Sequence, residues 1–196
     1  MARKDDPRDR YLNIATRKFA EQGFHGVSLA GLAREAGVSK QAFLHFYASK
    51  EKLYGAVLAR LADDLCADLE RFDRDETADA RLIRHFEDLA KGAAHKEATA
   101  RLVVRALLDS DPEAQMWPMK RYLDMLVRLA QVVPALAGRP AADLGMRLFQ
   151  MMGAIHYVQI SQTAMDGMFG AQERQLMEQE LVRNISAEVR MFVAGR

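Results

Sequence analysis

The sequence of 196 residues contains one cysteine, Cys66. A single thiol cannot close an intramolecular disulfide, so a stapled secreted scaffold is excluded and a reducing compartment, the cytoplasm, is expected. Five prolines and 12 glycines are too few to punctuate the many short strands of a sandwich or barrel. No uninterrupted apolar run approaches the roughly 18 residues of a membrane span, and Met1–Asp6 leads into no apolar signal segment. Neither export nor a membrane partner is expected. Charge of one sign is also lacking, since 28 Lys/Arg against 27 Asp/Glu leave a net +1. Hydrophobic residues make up 49% and charged residues 28%, a balance that excludes a disordered chain. Ala, Leu, Met, Arg and Glu are abundant, and together they point to an all-α protein.

The near-zero net charge hides a segregation. Residues 1–60 hold 11 Lys/Arg against 6 Asp/Glu, and residues 61–196 hold 17 against 21, so a head of +5 precedes a body of −4. A modestly basic head on an acidic body suits binding to a polyanion.

Helix signals divide the head into four segments. Asp6-Pro7 reads as an N-cap and first helical position, and Tyr11, Leu12, Ala15 and Phe19 keep helical spacing until Gly23 stops the run, giving a helix over 7–22. Ser28 caps a second helix that Gly37 ends through a left-handed turn. Ser39 caps a third over 39–46, exposing Lys40, Gln41 and His45 and able to bury Ala42, Phe43 and Phe46. Ser49 caps a fourth over 49–71, with Leu53, Val57, Leu61 and Leu65 in register. The charged stretch Asp73–Thr77 marks a boundary, after which helices are predicted over 78–93, 97–109, 112–136 with a break near Pro118, 140–167 and 172–193.

Ser28–Phe43 reads as a helix-turn-helix. Small Ala33 and Ala36 let two helices approach, Gly37 makes the turn, Val38 plugs the angle, and the second helix presents polar side chains from its N-terminal end. The three blocks Phe19-Ala20-Glu21-Gln22-Gly23-Phe24, Ala36-Gly37-Val38-Ser39-Lys40 and Tyr47-Ala48-Ser49-Lys50-Glu51-Lys52-Leu53 occur in an order and spacing that resembles the TetR family of bacterial transcriptional regulators. The resemblance covers about a quarter of the chain, Tyr11–Leu53, by motif.

That resemblance implies a homodimeric repressor of double-stranded DNA. Its N-terminal three-helix domain, residues 1–50, would be joined by the linking helix 49–71 to a helical effector-binding and dimerisation domain, residues 51–196. It implies that Ser28 and Ser39 meet phosphates at helix N-termini, joined by Lys40 and Lys50, with Arg3 and Lys4 as an arm. Gln41, Ala42 and His45 would face base edges. Gln41 stands where the family often has Gly, and Leu44 where it often has Tyr, which adds one possible base reader and removes one phosphate contact.

Enzyme signals are poor. Gly26-Val27-Ser28-Leu29-Ala30 misses the last glycine of a nucleophile elbow, and the Ser-x-x-Lys at Ser49–Lys52 is explained by a helix cap. The five histidines include no pair at i, i+3 or i, i+4 and no neighbouring thiolate, so neither a metal nor a cofactor is expected. Cys66 reads as a small buried hydrophobe.

In the body, Met116, Met119, Met125, Met146, Met151, Met152 and Met165 accompany Trp117, Tyr122, Phe149 and Tyr157. Flexible thioethers and aromatics suit an adaptable apolar pocket for a small effector, and equally an ordinary core. Arg105 and His156, polar within apolar stretches, are candidates to orient such a ligand, to form a structural ion pair, or to face a partner subunit. The candidate effector residues are thus Arg105, Trp117, Tyr122, Phe149, Met152 and His156. Apolar residues on more than one face of the last two helices call for partners on two sides, which a homodimer would supply. The alternative is a helical small-molecule-binding protein or enzyme whose head no longer binds DNA.

Overall fold

Four side chains fix where the first four helices begin in a computed structural model of the chain. Asp6 accepts a hydrogen bond from the Arg8 amide at 2.9 Å, with Pro7 in the first helical position, and starts α1 (Pro7–Gly26). Ser28, Ser39 and Ser49 accept in the same way from the amides of Gly31, Ala42 and Lys52, at 3.1, 3.1 and 3.2 Å. They start α2 (Leu29–Ala36), α3 (Lys40–Phe46) and α4 (Lys50–Glu70). Each cap satisfies an amide that the first turn leaves without a partner, a contribution of roughly 1 kcal/mol. Gly37 (φ 70°, ψ 30°) ends α2 in the left-handed region as the sequence predicts. Gly23 (φ 71°, ψ 175°) breaks α1 at its expected end, and one further turn carries the element on to Gly26.

Aromatic packing holds the head together. Tyr11 stacks on Phe43 with ring centroids 5.0 Å apart and meets Phe46 edge-on at 5.3 Å. Phe19 lies edge-on to Tyr54 at 4.9 Å, so the first turns of α4 belong to this core. Farther along α4, Leu61, Leu65 and Leu69 are buried as well, and that helix packs on α7. Each such side chain stabilises the fold by about 1.5–3 kcal/mol when fully buried. Most of the buried hydrophobic residues form one cluster that runs from Tyr11 in the head to Val193 near the C-terminus.

The structure describes residues 6–71, 75–92, 97–108 and 118–196. Its remaining elements are α5 (Ala78–Ala90), α6 (Glu97–Leu108), α7 (Pro118–Gln131), a 3-10 turn at Pro134–Leu136, α8 (Ala141–Ile160), α9 (Gln162–Phe169) and α10 (Ala171–Val193). All described elements are helical, none among them is a strand, and none is long and apolar enough to cross a membrane. α10 packs on α5, α7 on α4 and α8, and α6 on α1 and α8.

Two predicted helices are corrected. The single helix expected over 140–167 is two, because Ser161 (φ −94°, ψ 3°) leaves helical geometry between α8 and α9. The helix expected to reach 136 stops at Gln131, since Pro134 has no amide to return to a carbonyl and opens the 3-10 turn instead. The stretch 112–117, with its Asp111-Pro112 start, lies outside the described residues. Cys66 is fully buried, and burial pushes its thiol pKa up, as befits a small hydrophobe.

Candidate nucleic-acid interface and effector cavities

α3 has one buried residue and a polar outer face. Phe43 is fully buried, while Lys40, Gln41, Ala42 and His45 are all exposed. Ala42 therefore stands on the outer face with Gln41 and not in the core, and Phe46 is half-buried against Tyr11. Ser28 and Ser39 are exposed too. Each spends an oxygen lone pair on its cap and keeps a hydroxyl proton that can be donated to an anion.

Lys50 has a second engagement. It is half-buried, with Nζ 4.3 Å from the centroid of the Phe24 ring, a contact worth about 0.5–1 kcal/mol at such a site. A phosphate at Lys50 would share the ammonium with that ring. Arg3 and Lys4 lie outside the described residues.

Polar contacts fix the angle at which the two helices stand. The Arg10 guanidinium donates to the Ala36 carbonyl at the end of α2. Glu35 pairs with Arg17, and with Lys18 at 3.4 Å, tying α2 along α1. The Tyr47 hydroxyl donates to the Arg8 carbonyl at 3.2 Å. Surface ion pairs contribute only about 0–1 kcal/mol, so the pairs orient while the aromatic core stabilises.

In the body, α6, α7 and α8 enclose an apolar cavity of about 210 Å³. Val103, Val104 and Leu107 form one wall, Met119 and Leu123 a second, and Phe149, Met152, Gly153, His156, Tyr157 and Ile160 the third. Of the candidate effector residues, Phe149, Met152 and His156 meet here. They stand three and four positions apart on one face of α8. Tyr122 is elsewhere: its hydroxyl lies 2.6 Å from His85 Nε2 inside the core, and burial pushes its pKa far up. Arg105 also leaves the cavity and donates from Nη2 to the Glu21 carbonyl of α1 at 3.3 Å. Trp117 lies outside the described residues.

A second cavity was not expected from the sequence. It measures about 480 Å³ between α4, α5 and α6, and mixes Leu61 and Leu89 with Asp64, Asp68, Asp88, Arg71, Arg84, His85 and Thr99. Along each helix these charges read as an ordinary solvated face. The sequence signal was His85, a lone histidine beside Phe86 that proves almost fully buried.

Comparison with known proteins agrees with this architecture. A model described as bacterial regulatory proteins of the tetR family matches residues 12–57. The transcriptional regulator RutR of Escherichia coli K12 is 44% identical over 75 residues, 38% of this chain and 35% of that protein. The chain thus matches about a third of that relative's length. A TetR-like transcriptional regulator from Rhodococcus sp. RHA1 superposes with a TM-score of 0.66 over all of both chains at 16% identity. The ketosteroid transcriptional regulator KstR2 of Mycobacterium tuberculosis superposes with a TM-score of 0.64 over 94% of this chain and 95% of that one, at 20% identity. The capped helix-turn-helix lies inside the stretch that matches the tetR family of bacterial regulatory proteins, and the helical body shares the fold of these solved regulators.

Proposed function

We propose that this protein is a ligand-responsive repressor that binds a pseudo-palindromic operator in double-stranded DNA as a homodimer. The observation that carries the reading is α3, which buries Phe43 and turns Lys40, Gln41, Ala42 and His45 outward. A helix with that outer face fits the DNA major groove, with its N-terminal residues at the base edges. Ser28, Ser39, Lys40 and Lys50 hold phosphates and fix the register; Gln41, Ala42 and His45 read bases, Gln41 with the geometry to bond adenine twice. Residues 1–50 serve as the DNA-binding domain and 51–196 as the effector-binding and dimerisation domain.

Dimerisation is supported by where apolar surface is left uncovered. Eleven large hydrophobic side chains are exposed among the described residues, and eight of them lie on α8, α9 and α10. On α8, Met146, Phe149, Gly153 and Tyr157 follow one another at helical spacing, and a Cβ at Gly153 would meet nothing. Concentrated apolar surface with room for close backbone approach suits a second copy of the chain. The two recognition helices would then stand about 34–36 Å apart, or a near multiple, matching half-sites on one side of the duplex.

The effector is small and mainly apolar and occupies the cavity between α6, α7 and α8, with His156 as the polar group that orients it. It acts by favouring a conformer with the wrong head separation, to the extent of its differential affinity for the two conformers.

Selection of bound duplexes from a random DNA pool, sequenced at two salt concentrations, tests this reading. Enrichment of an inverted repeat, weakening as salt rises, is the expected result. Enrichment of no sequence by the purified protein, together with tight binding of a small molecule, would instead favour a helical binding protein or enzyme with an inactive head.

A further inference from the structure

α6 has different neighbours on its two sides. Val103, Val104 and Leu107 line the apolar cavity. At about 100° per residue, Arg105 projects about 200° from both Val103 and Leu107 and so leaves the helix on the far side. There it reaches α1. Its Nη2 donates to the Glu21 carbonyl at 3.3 Å, and its Nη1 occupies the space that a Cβ on Gly23 would need. Gly23, at φ 71° and ψ 175°, holds a backbone conformation open almost only to glycine. The guanidinium fills the place that the missing side chain leaves, and puts a cation at the carbonyl end of the regular part of α1, where the helix dipole favours positive charge.

The packing around this contact gives it a lever arm. α6 packs extensively along α1 and only sparsely on α4. α1 in turn seats α3 through Tyr11 on Phe43, and α2 through Arg10 on the Ala36 carbonyl. A displacement of α6 by whatever fills the cavity therefore has a direct path to the recognition helix that bypasses the linking helix α4.

We infer that Arg105 is a positioning residue for the DNA-binding head, transmitting movement of the cavity wall α6 to the Gly23 turn of α1 and so setting the orientation of α3. This deepens the regulator reading and rests on it for its biological meaning; the mechanical link itself stands on the Arg105 geometry.

The test is a double-mutant cycle on the 196-residue chain. Val104→Phe fills the cavity without added ligand, and Val104→Leu replaces it should helical content fall. Arg105→Gln cuts the contact while keeping a polar side chain, and Arg105→Lys keeps the charge. Two readouts are taken for every combination: affinity for the selected duplex, and hydrogen–deuterium exchange at the amides of residues 20–26, which needs no DNA. With Arg105 present, filling the cavity should shift both readouts by about fivefold or more; in the Arg105→Gln background both shifts should fall below about twofold, with Arg105→Lys between. A merely structural Arg105 would give additive effects, so equal shifts in the two backgrounds, or no shift in either, overturn the inference. If the unmodified chain selects no DNA, the regulator reading fails, and the exchange cycle still decides the role of Arg105.

Discussion

Substituting alanine for Gly23 and for Gly37 should have unequal costs, and the structure says by how much. Both glycines have positive φ, 71° and 70°. At Gly37 a new Cβ would lie 3.8 Å from Arg10 Nη2, an ordinary contact, so the penalty is conformational only. A left-handed L-residue costs about 1–2 kcal/mol, and the stiffer unfolded chain returns about 0.4–1 kcal/mol, leaving a net loss near 1 kcal/mol. At Gly23 the ψ of 175° lies outside the left-handed helical well, in a region that costs a side chain about 1–3 kcal/mol. The Cβ would also displace the Arg105 guanidinium and forfeit its bond to the Glu21 carbonyl, a further loss of about 0.5–1.5 kcal/mol. After the same unfolded-state return, Gly23→Ala should lose about 2 kcal/mol, roughly twice the loss at Gly37. Urea unfolding followed by far-ultraviolet circular dichroism, at one fixed protein concentration, measures both. In an Arg105→Ala background the cost at Gly23 should shrink by about 1 kcal/mol and the cost at Gly37 should not change. Equal losses at the two glycines, or additivity between Gly23→Ala and Arg105→Ala, would refute the reasoning.

The geometry sets three further outcomes. Lys40→Ala should weaken operator binding across all sequences and reduce the slope of log affinity against log salt by up to ~0.9, whereas Gln41→Ala should relax preference at one base position at a cost of about 1–3 kcal/mol; binding titrations at several salt concentrations separate the two. Tyr122→Phe should destabilise the body by about 0.5–1.5 kcal/mol through loss of its 2.6 Å hydrogen bond with His85 Nε2, with no effect on operator preference, as thermal unfolding and duplex selection would report. Glu87, whose carboxylate accepts from Ser186 at 2.6 Å and Arg190 at 2.8 Å across α5 and α10, has its pKa held down by those bonds. A carboxyl with a depressed folded-state pKa contributes stability that is present above its unfolded pKa and lost as pH falls through the folded value. Unfolding midpoints of Glu87→Gln should therefore fall less steeply on acidification than those of the unmodified chain, with the difference largest above the ordinary carboxylate range.

The head was legible in the sequence because local chemistry determines it. A serine that caps a first turn does so wherever the rest of the chain goes, and Ser28, Ser39 and Ser49 each start a helix as expected. Gly23 and Gly37 likewise mark their turns through backbone freedom alone. Ala42 was harder: its methyl is neutral between core and surface, and only the packing of Phe43 on Tyr11 decides that Ala42 faces out. The break at Ser161 was invisible for a related reason. Its φ of −94° is open to any residue, and neither glycine nor proline is needed to part α8 from α9.

The body was legible only as far as one helix can speak for itself. Phe149, Met152 and His156 share a face of α8 by spacing, and that face does wall a cavity. Periodicity says which residues share a face but not which neighbour the face meets, and Arg105 marks the difference. A cation within Val103-Val104-Arg105-Ala106-Leu107 reads as a group aimed at whatever the apolar neighbours enclose. Yet apolar residues at 103, 104 and 107 define one side of α6, and Arg105, about 200° from Val103 and Leu107 and about 100° past Val104, faces away from the centre of that side. Its neighbour there is α1, 84 positions earlier in the chain, at a place where a glycine leaves room for a guanidinium. The misplaced candidate is thus the residue that joins the cavity wall to the head, and its partner, Gly23, is legible in the sequence for an unrelated reason, as the stop of the first helix.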